Sequence, residues 1–228
     1  MSDDTTIAER LAGVLRRITT AAERADRDPS AVRLVAITKG VQPEQIDMAI
    51  AAGVTDIGEN RVQEAARKQS AIAAPVTWHL VGHLQRNKAA RAATMFDVVH
   101  SVDSVMIAQA LATHRSAHRD PVRILVEVEL TGMPQRAGVK PEETEAVVSE
   151  LGGLHGTALA GLMTIAPPVD DPEAARPYFR RLRELRDHVQ QATGHALAEL
   201  SMGMSGDFAV AVEEGATMVR VGGALFAS

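Results

Sequence analysis

Eight short apolar segments, each followed by a stretch with helical periodicity, constrain this chain more than any other feature. The segments fall at residues 34–39, 56–60, 78–82, 98–102, 123–129, 158–165, 199–202 and 218–221. Short apolar runs bounded by glycine, proline or polar turns read as buried strands. Between them apolar residues return every three to four positions. Pro43 and Pro141 open two of these helices, and Asp171-Pro172-Glu173 supplies an N-cap with proline at the first helical position. Strand and helix in strict alternation predict a parallel sheet joined by helical crossovers. One unit recurs about every 28 residues, so the chain approaches the roughly 250-residue size of a (β/α)8 barrel. A doubly wound open sheet would carry a Gly-rich turn after its first strand. That place holds Thr38-Lys39-Gly40-Val41, and the glycines cluster near the C-terminus instead. The expectation is an α/β fold: a single TIM-like (β/α)8 barrel domain over residues 1–228. An extra N-terminal helix within residues 1–28 packs on it through Ile7, Leu11, Val14, Leu15, Ile18 and Ala22.

Composition narrows the partners. The formal net charge is -5 and the pI about 5.9, which argues against a nucleic-acid or anionic-membrane surface. There is no cysteine, so disulfides and thiolate metal sites are excluded, as suits a reducing compartment. The polar, acidic start Met1-Ser2-Asp3-Asp4-Thr5-Thr6 is unlike a signal peptide, and no run approaches the roughly 20 apolar residues of a membrane span. A cytoplasmic protein is expected.

Candidate chemistry begins at Lys39. Side chains alternate along a strand, so Val35, Ile37 and Lys39 share a face. An amine buried on an apolar face has its pKa lowered, and a neutral amine condenses with an aldehyde. A lysine that ends a strand and points to water is the plainer alternative. Barrel sites lie at the C-terminal strand ends, with phosphates commonly bound by the loops after strands seven and eight. Both loops are Gly-rich here: Ser201-Met202-Gly203-Met204-Ser205-Gly206-Asp207, and Arg220-Val221-Gly222-Gly223-Ala224. Backbone N–H groups in such turns can hold an anion. A lysine for an aldehyde, opposite a phosphate clamp, points to pyridoxal 5'-phosphate.

Several blocks then carry a specific resemblance. Ala36-Ile37-Thr38-Lys39, Ile57-Gly58-Glu59-Asn60-Arg61-Val62-Gln63-Glu64, Trp78-His79-Leu80-Val81-Gly82-His83-Leu84-Gln85-Arg86-Asn87-Lys88, His100-Ser101-Val102-Asp103, Gly161-Leu162-Met163-Thr164-Ile165 and Leu200-Ser201-Met202-Gly203-Met204-Ser205 resemble the YggS/PROSC family of pyridoxal phosphate homeostasis proteins. The blocks span nearly the whole chain in family order. The resemblance implies a barrel like the N-terminal domain of alanine racemase, with the cofactor held as a Lys39 aldimine. It implies cofactor holding, buffering or hand-over, with apo enzymes that use pyridoxal phosphate as candidate recipients, a monomer, and little or no turnover. Ser205, Gly222 and Gly223 fall on the family's phosphate-binding positions, and Arg220 on the arginine facing the pyridine nitrogen. Asn60, Met202 and Gly203 would line the pocket. The family commonly has threonine or serine where Gly223 stands. Two alternatives remain: a pyridoxal-phosphate-dependent amino-acid racemase or lyase, and an aldolase-like barrel whose lysine needs no cofactor.

Other polar residues take plainer readings. His79 and His83, lacking an evident carboxylate partner, read as structural. Glu59 alternates away from Asn60, so Asn60 is favoured for the mouth. Arg136 reads as an exposed loop arginine, and Arg180, Arg181, Arg183 and Arg186 as a solvated helix face. Tyr178, the only tyrosine, falls outside the predicted mouth. No metal motif is present.

Overall fold

The computed structural model describes residues 6–115 and 119–227. Met1 to Thr5, read above as a polar start, and Ser228 lie outside them. Eight parallel strands close into a barrel in chain order. They are β1 (Arg33–Ile37), β2 (Asp56–Glu59), β3 (Thr77–Leu80), β4 (Val98–Val102), β5 (Val122–Glu127), β6 (Thr157–Met163), β7 (Glu199–Ser201) and β8 (Met218–Val221). The helices are α1 (Ile7–Arg24), α2 (Pro43–Ala51), α3 (Val62–Gln69), α4 (Ala89–Met95), α5 (Val105–His114), α6 (Thr144–Leu151), α7 (Arg176–Thr193), α8 (Phe208–Glu213) and α9 (Gly223–Phe226). Closure runs through β1 and β8, with Val35 level with Arg220 and Ala36 with Val221.

Strand alternation sends every second residue inward and the others under the helices. Outward residues such as Ala36, Ile57, Leu80, Val99, Leu200 and Val219 belong to the main core beneath the helix layer. A second, smaller apolar cluster of Val98, Leu125 and Met163, flanked by Ala160 and Ile165, fills part of the barrel interior. Gly58 makes room inside: a Cβ there would stand 2.5 Å from Ile37 Cδ1 and 3.0 Å from Val35 Cγ1. Much of the remaining interior is polar, with Asp56, His79, His100, Ser201 and Arg220 all buried.

Helix α1 starts on a capping box. Thr6 Oγ1 accepts from the Glu9 amide, and Glu9 accepts from Thr6 N–H at 2.8 Å. Leu11, Val14, Ile18, Ala21 and Ala22 are its buried residues. Leu15, expected on that face, is 46% exposed, because its position lies just beyond the apolar stripe. Arg27, behind the helix, donates to the carbonyls of Val212 and Ala216 and ties this segment to the end of α8. The expected strand ends at Lys39, Glu129 and Ile165 are each two residues too long. At the mouth the chain leaves the sheet, although Val128 keeps one bridge to Val139. No helix among the described residues is long and apolar enough to cross a membrane.

Candidate functional site at the barrel mouth

Lys39 lies two residues past β1 and is exposed. The burial expected for it is therefore absent, because the strand stops before the lysine. What the structure builds instead is a clamp on both sides of it. Lys68, on α3 and only 6% exposed, donates to the carbonyl of Thr38 at 2.5 Å, to Glu59 Oε1 at 2.6 Å and to Glu64 Oε1 at 2.7 Å. Thr38 Oγ1 donates to Glu59 Oε1 at 2.5 Å, and the Gly40 N–H donates to Glu64 Oε1 at 2.6 Å. Gly40 has φ +73°, a left-handed turn that glycine adopts without strain. Residues 38 and 40 are thus pinned by one buried ion cluster, and Lys39 projects from between them. Burial pushes the Glu59 carboxyl up, opposed by hydrogen bonds from Lys68 and Thr38 and by the Lys68 charge. Among the described residues its Oε2 has no hydrogen-bond partner.

Next to β1, the loops after β7 and β8 meet. Ser205 Oγ accepts from the N–H groups of Gly222 and Ala224, both at 3.3 Å. Gly222 packs directly on β1: a Cβ there would lie 3.0 Å from the Ile37 carbonyl oxygen. A Cβ on Gly223 would meet Ser205 Oγ at 3.9 Å. Lys39, Ser205, Gly222 and Gly223 therefore share one sector of the rim. Met202 and Gly203 lie under it. Met202 is fully buried in the main core. Gly203 has φ +89°, and a Cβ would stand 2.5 Å from Ala211 Cβ. Asn60 lines a cleft of about 880 Å³ between the loops after β1, β2 and β3, with Gly40, Arg61, His83, Gln85 and Lys88.

Below the rim, five polar side chains form a continuous hydrogen-bonded chain through the barrel interior. Asp56 Oδ1 contacts His79 Nε2 at 2.9 Å, and His79 Nδ1 contacts His100 Nε2 at 2.8 Å. His100 Nδ1 contacts Ser201 Oγ at 2.8 Å. Arg220 Nη1 donates to Ser201 Oγ at 2.6 Å, and its Nη2 donates to the carbonyl of Thr164 at 2.9 Å. His79, His100 and Ser201 are fully buried. Burial holds the His79 imidazole below its usual range despite Asp56, and holds His100 well below it, reinforced by the Arg220 charge. Burial also lowers Arg220 to about 10, against the pull of Glu127 and Asp207. The guanidinium stays a cation at neutral pH.

Across the mouth, Glu127 at the end of β5 lines a cavity of about 290 Å³ with Glu129, Arg136 and Ile165. Burial pushes its carboxyl up to about 7, against Arg220 and Arg136 and with the help of Asp103. Arg136, expected to be exposed, is half-buried and donates to the Ile165 carbonyl at 2.7 Å. Among the described residues no cluster of histidines and carboxylates could hold a metal ion.

Comparison with known proteins places this geometry. Residues 11–228 match the family model described as alanine racemase, N-terminal domain. The pyridoxal phosphate homeostasis protein of Aquifex aeolicus is 41% identical over 219 residues, covering 96% of this chain and 96% of that protein. The protein of the same name from Pseudomonas aeruginosa is 41% identical over 222 residues, 97% of this chain and 95% of that one. The solved structure of PipY from Synechococcus elongatus with PLP bound is similar at TM-score 0.85 and 38% identity, covering 97% of this chain and 100% of that one. The chain belongs to the alanine racemase N-terminal-domain family, among its pyridoxal phosphate homeostasis proteins.

For this member of the family, two further plain readings of the sequence need correction. His79 and His83 are not an unpartnered pair. His79 is buried on Asp56, whereas His83 is exposed beyond β3 and meets Asp103 at 3.1 Å. The α7 arginines are not simply solvated: Arg176, Arg180 and Arg183 converge on the buried carboxylate of Glu214. Asp56, His100, Ser201 and Lys68 join the site only in the folded barrel. A signal was present in the strands: Trp78-His79-Leu80, Val99-His100, Leu200-Ser201-Met202 and Val219-Arg220-Val221 each set one polar residue among apolar neighbours. When apolar neighbours point outward to helices, the polar residue must point into the barrel.

Proposed function

We propose that this chain binds pyridoxal 5'-phosphate covalently through Lys39 and acts in cofactor homeostasis, as a carrier or buffer with little or no turnover. The observation that carries the reading is the side-by-side arrangement of an exposed, backbone-clamped lysine and the Ser205–Gly222–Ala224 hydrogen-bonded turn on adjacent strand ends. The residues fit the cofactor. The Gly222 and Ala224 N–H groups already converge on one oxygen acceptor, Ser205 Oγ, as they would on a phosphate oxygen. Gly222 leaves no side chain in that turn, and Gly223 offers only its backbone. In this reading Ser205, Gly222 and Gly223 hold the phosphate, Arg220 faces the ring nitrogen, and Asn60 borders the entrance. Met202 and Gly203 complete the set by supporting the loop from beneath.

Bound pyridoxal phosphate supplies an electron sink for carbanions on amino acids, strongest when its ring nitrogen is protonated. Arg220 works against that state, because a guanidinium donates hydrogen bonds and keeps its own protons. Lys39 can serve one face as a base. Tyr178 cannot serve the other from within the packing of α7 against the core. Amino acids should therefore exchange onto the cofactor slowly, without efficient racemisation.

Glu127 favours a second reading, a racemase or lyase, because a buried carboxyl titrating near 7 at the mouth suits general acid–base work. We read the protein further as a single domain over residues 1–228, cytoplasmic and monomeric, delivering cofactor to apo enzymes. Net negative charge and a cysteine-free composition support that setting.

The test is a titration with pyridoxal phosphate followed by an L-alanine assay. The protein should turn yellow, bind pyridoxal far more weakly than the phosphate ester, and leave L-alanine unconverted. A cofactor-free, colourless protein after titration would refute the binding reading. Conversion to D-alanine at about 1–10³ s⁻¹, lost in Lys39→Ala, would establish the enzyme instead.

A further inference from the structure

The interior chain from Asp56 to Arg220 has only one consistent arrangement of protons while both imidazoles are neutral. Asp56 is the fixed end. Burial alone would raise its carboxyl, but hydrogen bonds from His79 and Thr55 and the charge of Arg33 hold it below its usual range. A carboxylate accepts only, so His79 must present Nε2–H to it. Neutral His79 then has a bare Nδ1, which accepts from His100 Nε2–H. His100 in turn has a bare Nδ1, which accepts the Ser201 hydroxyl proton. With that proton committed, Ser201 shows Arg220 only lone pairs. Every donor in the chain points from the mouth towards the floor of the barrel.

Arg220 therefore meets two acceptors, Ser201 Oγ and the Thr164 carbonyl, held in fixed places by β7 and by the residue after β6. Two anchors on two guanidinium nitrogens fix the plane of the group. Its remaining N–H groups are left for whatever lies above. The charged groups around the chain are Arg33, Arg123 and Glu199 at the floor, and Glu127 and Asp207 near Arg220.

We propose that His79, His100 and Ser201, anchored on Asp56, form a one-way hydrogen-bond relay that positions the Arg220 guanidinium at the mouth. These are positioning residues, since none of them reaches the rim. Their importance to the cofactor rests on the reading that Arg220 faces its ring nitrogen.

The experiment has one arm without cofactor and one with it. In the first, ¹⁵N NMR of the histidines in the full-length protein should report both buried rings neutral, with Nε2 protonated and Nδ1 bare, unchanged from about pH 6 to 8. A charged ring, or a proton on Nδ1 of either, would overturn the relay whatever the protein binds. In the second, Ser201→Ala removes the acceptor nearest Arg220 and little volume. It should raise the pyridoxal phosphate dissociation constant about tenfold, the effect of one lost charge-assisted bond. It should also shift the pH at which the visible absorbance of the bound cofactor changes. A folded Ser201→Ala protein with unchanged affinity and an unchanged pH profile would refute positioning. If instead the unmodified protein fails to bind the cofactor, the proposed function falls while the NMR arm still decides the relay.

Discussion

Replacing Lys68 with methionine should destabilise the protein in a pH-dependent way. The Lys68 ammonium holds Glu59, Glu64 and the Thr38 carbonyl within 2.5–2.7 Å, in a place where Glu59 is wholly out of water. Methionine fills the stem volume, so the loss is electrostatic. Removing one partner of a buried ion pair costs about 3–5 kcal/mol. For a domain of this size that lowers the melting temperature by about 6–20 °C. The orphaned Glu59 can escape part of the cost by taking a proton. Its carboxyl is already raised by burial, and losing Lys68 raises it further. A group whose folded pKa is raised contributes stability at low pH that is lost as pH climbs through that value. The deficit of Lys68→Met should accordingly be larger at pH 8 than at pH 5. Thermal unfolding followed by circular dichroism at both values measures it, and Lys68→Met/Glu59→Gln should recover part of the loss at pH 8. The variant should also react more slowly with pyridoxal phosphate, because residues 38 and 40 lose their clamp. A melting temperature within 2 °C of the parent at pH 8 would refute the reasoning.

Three further perturbations probe other parts of the barrel. Gly222→Val puts a branched side chain against Ile37, 3.0 Å from its carbonyl oxygen, and pushes the backbone whose N–H meets Ser205; isothermal titration should show weakened binding of pyridoxal phosphate, and unchanged affinity in a folded protein would remove the clamp. Glu127 has a raised carboxyl, about 7 against 4.5, so its contribution to stability is full below about 4.5 and lost as pH rises through about 7. Denaturant unfolding of Glu127→Gln should lack this dependence, worth up to about 3 kcal/mol; identical pH profiles would contradict the burial account. Gly161→Ala drives a Cβ to within 1.8 Å of the Glu199 carbonyl oxygen and should lower soluble yield and melting temperature sharply, whereas a parent-like melt would show that β6 and β7 can part without cost.

Strand order and closure were legible because the apolar runs and their spacing report burial directly. The ends were less so. Periodicity carries 34–39 as one run, yet pairing with β2 and β8 stops at Ile37, and hydrophobicity does not record where a partner ends. Lys39 and the two Gly-rich loops could be proposed because lysine and glycine have special chemistry wherever they stand. The Lys68 clamp could not, since a lysine in Ala66-Arg67-Lys68-Gln69 looks like any solvated helix residue until α3 is laid against the end of β1. The relay was hidden for another reason: its members come from β2, β3, β4, β7 and β8, and only closure brings Ser201 to His100 across 101 residues. Glu214 shows the converse, where local charge pattern suggested solvation and a distant acidic side chain supplied partners for Arg176, Arg180 and Arg183.

The central claim is that Lys39 is the residue that holds the cofactor. The most direct measurement is borohydride reduction of the protein mixed with pyridoxal phosphate, followed by peptide mapping. A single pyridoxyl adduct on Lys39, abolished by Lys39→Ala, is the predicted result. An adduct mainly on another lysine, such as Lys88 in the cleft beside Asn60, would contradict it.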